Sequence, residues 1–133
     1  MTIKLNSGSL TREQIESVFN TLPLEVTFVD DNDIIRYYSR PANSLFTRQP
    51  EIIGTKVQDC HSEKSLEMVN RLLSEFKAGK RDSAGFWFEE AGKFINVIYA
   101  ALRDEQGNYL GCLETAQDIT GIRELKGAKR ALD

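Results

Sequence analysis

Apolar residues recur at every second position in five stretches of the chain and at helical spacing in three others. The period-two stretches are Leu24–Asp30 (LEVTFVD), Ile34–Ser39 (IIRYYS), Ser83–Glu90, Lys93–Arg103 and Tyr109–Asp118. Turn residues separate them: Asp31-Asn32-Asp33, Ala91-Gly92 and Asp104–Gly107. Thr11 opens a first helix, and Gln14 completes a capping box. Ile15, Val18, Phe19 and Leu22 share one face of it, and Pro23 closes it. The longest helix spans roughly Glu63–Ala78, capped by Ser62 and stopped by Gly79, with Leu66, Val69, Leu72, Leu73 and Phe76 inward. Pro41–Phe46 and Pro50–Gly54 read as short helical pieces, and Met1–Leu10 as a loose polar tail or the cut edge of a longer protein. Ile122, Leu125 and Leu132 lie near heptad spacing, so Gly121–Asp133 reads as an exit helix that either carries a signal or frays into solvent.

Strands joined by short loops pair antiparallel. The expected fold is α+β: one five-stranded antiparallel sheet with helices on one face and a cavity between the layers. With Arg103 and Asn108 flanking the last turn, Tyr99 faces Cys112 and Val97 faces Glu114. One sheet face then carries Phe86, Phe88, Ile95, Val97, Tyr99, Leu110, Cys112, Glu114 and Ala116. The other carries Trp87, Phe94, Asn96, Ile98, Leu102, Leu113 and Thr115. Both faces are apolar, so both need covering.

At 133 residues and 41% hydrophobic, the chain holds one ordinary core. Its net charge of -3 supplies no basic footprint for nucleic acid or an anionic membrane surface. No apolar run is long enough to span a bilayer, and the N-terminus lacks a secretion signal, so a cytoplasmic location is expected. Cys60 and Cys112 read as free thiols. There is no P-loop, dinucleotide fingerprint or metal-binding helix motif.

Three segments resemble a PAS domain with its C-terminal PAC motif: VTFVDDNDIIRYYS, RDEQGNYLG, and QDIT at the end of the last strand. IIGTKVQDCHSEKS and the run FWFEEAGKFINVIYAALRDEQGNYLG resemble the C-terminal PAS domain of bacterial proteins that also carry a hemerythrin-like module. The resemblance implies a sensory or dimerising role inside a larger protein, and a ligand cavity lined by the Tyr99 face. The opposite face would meet the Thr11–Leu22 helix or a partner subunit. The flavin photosensor's Asn-Cys-Arg-Phe setting is not matched by Asn43–Phe46 or Asp59–Ser62, which argues against flavin.

The cavity candidates are Phe86, Phe88, Val97, Tyr99, Cys112 and Glu114. Glu114 is the sharpest of them, because a carboxylate on an enclosed face needs a partner. It is a ligand anchor beside the Tyr99 hydroxyl, or an edge residue reaching solvent, or the acid of a salt bridge to a loop Lys or Arg. His61 stands just before the long helix; by the resemblance it is a candidate haem ligand, and otherwise it orders the helix start. Cys60 and His61 together are too few for zinc. Phe86, Trp87, Phe88 and Phe94 are core or interface packing, or a cofactor box.

Three domains of function follow: a flanking segment (1–21), the PAS domain (22–120) with Asp118 and Thr120 as its signal junction, and the exit helix (121–133). The leading expectation is a sensor whose cavity occupancy moves the last strand and the exit helix, with homodimerisation through the first helix and the outer sheet face. A ligand-free dimerisation module is the alternative. A small acid/base enzyme using Glu114 and Tyr99 is the minor one.

Overall fold

The computed structural model describes Met1–Asp133. Seven strands and two α-helices follow in the order β1 (Thr2–Leu5), β2 (Gly8–Thr11), α1 (Arg12–Thr21), β3 (Glu25–Asp30), β4 (Ile35–Tyr38), α2 (Glu63–Lys77), β5 (Ser83–Glu90), β6 (Lys93–Arg103) and β7 (Tyr109–Asp118). β3 to β7 form one antiparallel sheet in the order β4-β3-β7-β6-β5. The expected α+β architecture is therefore present.

Each tight turn has a visible cause. Asp30 Oδ1 accepts the N–H groups of Asn32 (2.9 Å) and Ile34 (3.0 Å), which folds β3 back onto β4. Asp104 repeats the device between β6 and β7, accepting from the N–H groups of Gln106 (2.9 Å) and Asn108 (2.8 Å). Ala91 (φ 52°) and Gly92 (φ 80°) are both left-handed, as a two-residue hairpin that follows the strand twist requires.

α2 lies against the sheet because Val69, Leu72, Leu73 and Phe76 recur on one face. They bury with Val29, Ile35 and Cys112. Phe76 is fully enclosed, and its carbonyl accepts from Arg103 Nη2 at 2.9 Å, which gives the helix end a cationic partner. A second small cluster joins Ile95, Val97 and Ala116 under Leu45 and Phe46.

The structure departs from the sequence reading in five places. Met1–Leu10 is not loose: β1 and β2 pair as a hairpin, with Ile3 opposite Leu10. The 41–46 segment has turns but no helix, whereas the short helical piece expected after Pro50 is present as a 3-10 turn, Pro50–Ile52. Ser62 stands at the helix cap, but its side chain makes no capping bond.

The β6–β7 register is displaced by two residues, so that Tyr99 faces Glu114 and Val97 faces Ala116. A bulge opposite Leu102–Arg103 absorbs Leu110, which turns outward and is 48% exposed rather than facing the cavity. The shift is even, so the remaining residues keep their faces.

The exit helix is absent. Only a 3-10 turn, Ile122–Glu124, forms, and Gly121–Asp133 is exposed throughout. Gly127 adopts φ 68°, and so short a helix gains too little without packing to form alone.

Candidate functional site

Between α2, the 47–61 segment and the inner sheet face lies a cavity of about 290 Å³. That is near the lower end of the range for small-molecule pockets. Its apolar wall includes Val29, Ile35, Ile52, Val57, Val69, Leu72 and Leu73. Tyr99, Cys112 and Glu114 project into it from β6 and β7, as their alternation dictates, and His61 and Cys60 border it beside α2.

The other three cavity candidates lie elsewhere. Val97 is buried in the second cluster. Phe86 and Phe88 share the inner face, but of β5 only Ala84 packs against the α2 cluster, and the two rings are 37% and 38% exposed. Phe86 meets Tyr99 edge-on, with ring centroids 5.8 Å apart.

Glu114 is held by a residue that pattern reading missed. Arg48 Nη2 donates to Glu114 Oε1 at 3.1 Å and to Thr27 Oγ1 at 3.1 Å. Both charged side chains are largely buried, 24% and 21% exposed. The carboxylate thus has a loop arginine as its partner, one of the three arrangements open from sequence. The available signal was chemical: an acid on a covered face calls for a cation from the loop above it.

Two groups on this wall are held neutral. Burial, with the Glu114 charge next, pushes the Tyr99 phenol well above its ordinary value. Burial, and then the same carboxylate, pushes the Cys112 thiol up to about 12. At neutral pH the pocket therefore offers a protonated phenol, a protonated thiol and one ion pair in an apolar shell.

His61 Nδ1 lies 3.3 Å from Ser65 Oγ, one turn into α2. This contact orders the helix start. As a haem site the residues fit poorly: the cavity is small, and Arg48, the one guanidinium or ammonium on its wall, is committed to Glu114 and Thr27. No cluster of three His, Cys, Asp or Glu residues is arranged to hold a metal.

β7 carries Glu114 and ends four residues later at Asp118. There Thr120 donates to Asp118 Oδ1 through both its N–H, at 3.0 Å, and its hydroxyl. These bonds hold the Asp118 carboxyl below its usual range. Thr120 Oγ1 also accepts the Phe94 N–H at 2.8 Å, and the Ile119 N–H donates to the Phe94 carbonyl at 2.8 Å. Asp118 and Thr120 so fasten the strand end to the start of β6 and cap no helix. Arg123 stacks over the Phe94 ring, 4.0 Å from its centroid.

The outer sheet face is only partly covered. α1 has no buried residue and reaches the sheet where Phe19 tilts against Tyr37, at 5.6 Å between centroids. Trp87 stays 67% exposed and Ile98 41%. No helix is long and apolar enough to cross a membrane.

A family model described as PAS domain matches residues 15–120. A solved C-terminal domain from Streptococcus mutans is 37% identical with a TM-score of 0.89, over 95% of this chain and 98% of that one. The PAS domain of Bordetella pertussis BvgS superimposes at a TM-score of 0.62 and 16% identity, over 84% of this chain and 88% of that one. A sensory box sensor histidine kinase from Vibrio cholerae does so at 0.55 and 13%, over 82% and 91%. The last two likenesses establish fold alone. No curated protein matches the chain. With a family match over most of its length and a sheet, helices and pocket in the corresponding arrangement, the chain belongs to the PAS domain family and is a sensory module rather than an enzyme.

Proposed function

We propose that this PAS domain senses a small, mainly apolar molecule in the cavity beneath α2 and relays occupancy along β7 to the junction at Asp118 and Thr120. The observation that carries the reading is the position of Glu114. It faces the cavity, pairs with Arg48, and stands on the strand that ends at the junction. A ligand that competes for Arg48 or contacts Tyr99 would strain β7, and only a short rigid segment separates that strain from the output. The element that receives it is Gly121–Asp133, whose exposed Ile122, Leu125 and Leu132 suit a partner surface.

By likeness to the Streptococcus mutans C-terminal domain, the chain works as one domain of a larger protein; a cytoplasmic location rests on the sequence expectation only. A hemerythrin-like neighbour rests on the sequence resemblance only.

Native mass spectrometry of the purified protein tests the ligand. The expected spectrum shows a retained small molecule, lost when Val69→Phe fills the cavity. A bare mass that no treatment changes would contradict ligand sensing.

The uncovered Trp87, Ile98, Val18 and Phe19 favour a second reading, a homodimer closed over the outer face and α1. Sedimentation equilibrium would then show a dimer that Trp87→Glu splits.

A further inference from the structure

A second cavity, about 530 Å³, lies at the opposite end of the sheet, away from α2. Its wall is drawn from the α1–β3 linker, the 41–45 loop, the start of β6 and the end of β7. The charged residues on it are Glu25, Lys93 and Asp118, and Asn20 and Asn43 add amides.

Glu25 is the anomaly there. Only 5% of it is exposed, and no lysine, arginine or histidine pairs with it. The N–H groups of Leu45 and Phe46 and the Ser44 hydroxyl all converge on Oε1. Oε2 is closed to solvent and has no hydrogen-bond partner. A buried carboxylate with one orphaned oxygen is costly unless something brings it a donor, and a cation does so best.

The wall holds opposite charge as well. Lys93 follows the β5–β6 turn and makes no close ion pair, its charge reaching Asp118 only at longer range, and the Asn20 amide keeps its N–H donors because its Oδ1 accepts from the Arg40 N–H at 2.8 Å. Asp118 is already occupied by Thr120.

We infer that this cavity is a binding site for a small zwitterion of the amino-acid type, with its ammonium group against Glu25 and its carboxylate toward Lys93 and the asparagine amides. A simple amine would meet Glu25 but leave Lys93 unanswered, and a simple carboxylate would do the reverse. The site touches Asp118 directly, so an occupant would bear on the strand end from the other end of the same sheet face that lines the α2 cavity.

Isothermal titration of the full chain with each of the twenty free amino acids is the test, with ethylamine and acetate as single-charge controls. At least one amino acid should bind. Its affinity should fall about tenfold or more in Glu25→Gln and in Lys93→Met, as expected for loss of one charged hydrogen bond. It should be unchanged in Arg71→Met, an exposed α2 residue on neither cavity wall. Lys93→Met keeps the test decisive should Glu25→Gln fail to fold, since Lys93 is exposed. Binding by none of the twenty overturns the proposal. So does ethylamine or acetate binding as tightly, or affinity that Val69→Phe abolishes and Lys93→Met spares.

Discussion

At the scale of single residues, chemistry is concentrated in groups whose ionisation the fold controls. Cys112 is buried with its thiol pushed up to about 12, whereas Cys60 is exposed. An aromatic disulfide reagent at pH 8 should titrate one thiol per native chain rapidly and the second only in denaturant. The same shift has a consequence for stability. The unfolded thiol deprotonates near pH 8.5 while the folded one keeps its proton, so the native state binds more protons and stability falls as pH rises from there toward 12. Tyr99, Tyr109 and Tyr37, all raised by burial, add to the loss above about pH 10. Cys112→Ala should flatten urea midpoints between about pH 8.5 and 10 and leave the steeper fall beyond. The Arg48–Glu114 pair is partly buried, so a double-mutant cycle with Arg48→Met and Glu114→Gln should give a coupling of about 1–2 kcal/mol by urea denaturation. Alternation put Tyr99, Cys112 and Glu114 on one sheet face, and the family resemblance implied that this face lines a cavity. Arg48 was not legible, because the 47–49 segment has no period and its position follows from tertiary packing.

At the scale of elements, the strand bounds Ser83–Glu90, Lys93–Arg103 and Tyr109–Asp118 match their patterns, since long alternating runs between firm turns leave little choice. The β6–β7 register did not follow from the turn, because a bulge inserts Leu110. A glycine inside a strand was the one cue to it: Gly111 sits at φ 149°, and a Cβ there would lie 2.2 Å from the Val29 carbonyl oxygen and 2.8 Å from the Phe28 ring. Gly111→Ala should therefore destabilise the domain by about 3 kcal/mol or more in thermal or urea unfolding, far beyond an ordinary exposed glycine. The α1 capping box was also readable, with the Gln14 N–H donating to Thr11 Oγ1 at 3.0 Å and the Thr11 N–H to Gln14 Oε1 at 2.8 Å. Because α1 buries nothing, Thr11→Ala should reduce its helicity and amide protection while leaving the main unfolding midpoint nearly unchanged. The exit helix failed as an expectation for the same reason that α1 is marginal: a weak apolar face fixes a helix only when something covers it.

At the scale of the whole molecule, the sheet divides two environments. The α2 side is packed and holds the smaller cavity, while the outer side keeps Trp87 and Ile98 in water. Several carboxylates bind this frame together. Burial alone would raise the Asp30 carboxyl, but Arg36 and the N–H groups of Ile34 and Asn32 outweigh it and hold it low. Glu75, held by Arg71 and Arg81, and Asp104, held by Asn108, are lowered too, as is Asp118. Depressed carboxyls contribute stability above their unfolded values, near pH 4, and lose it as pH falls through their folded ones. Stability should thus hold to about pH 5 and decline below pH 4, and Asp30→Asn should blunt that acid decline. Fold and family were legible because strand order, turns and the QDIT segment agree. The second cavity was not, since its walls come from four separate parts of the chain.

Central to the account is a mechanical link from Glu114 to the end of β7. Hydrogen exchange at the Ile119 amide, bonded to the Phe94 carbonyl, reads that link most directly. In Glu114→Ala its exchange should accelerate several-fold while the amides of the distant β1–β2 hairpin keep their rates. An Ile119 rate identical to the wild-type value would contradict the coupling.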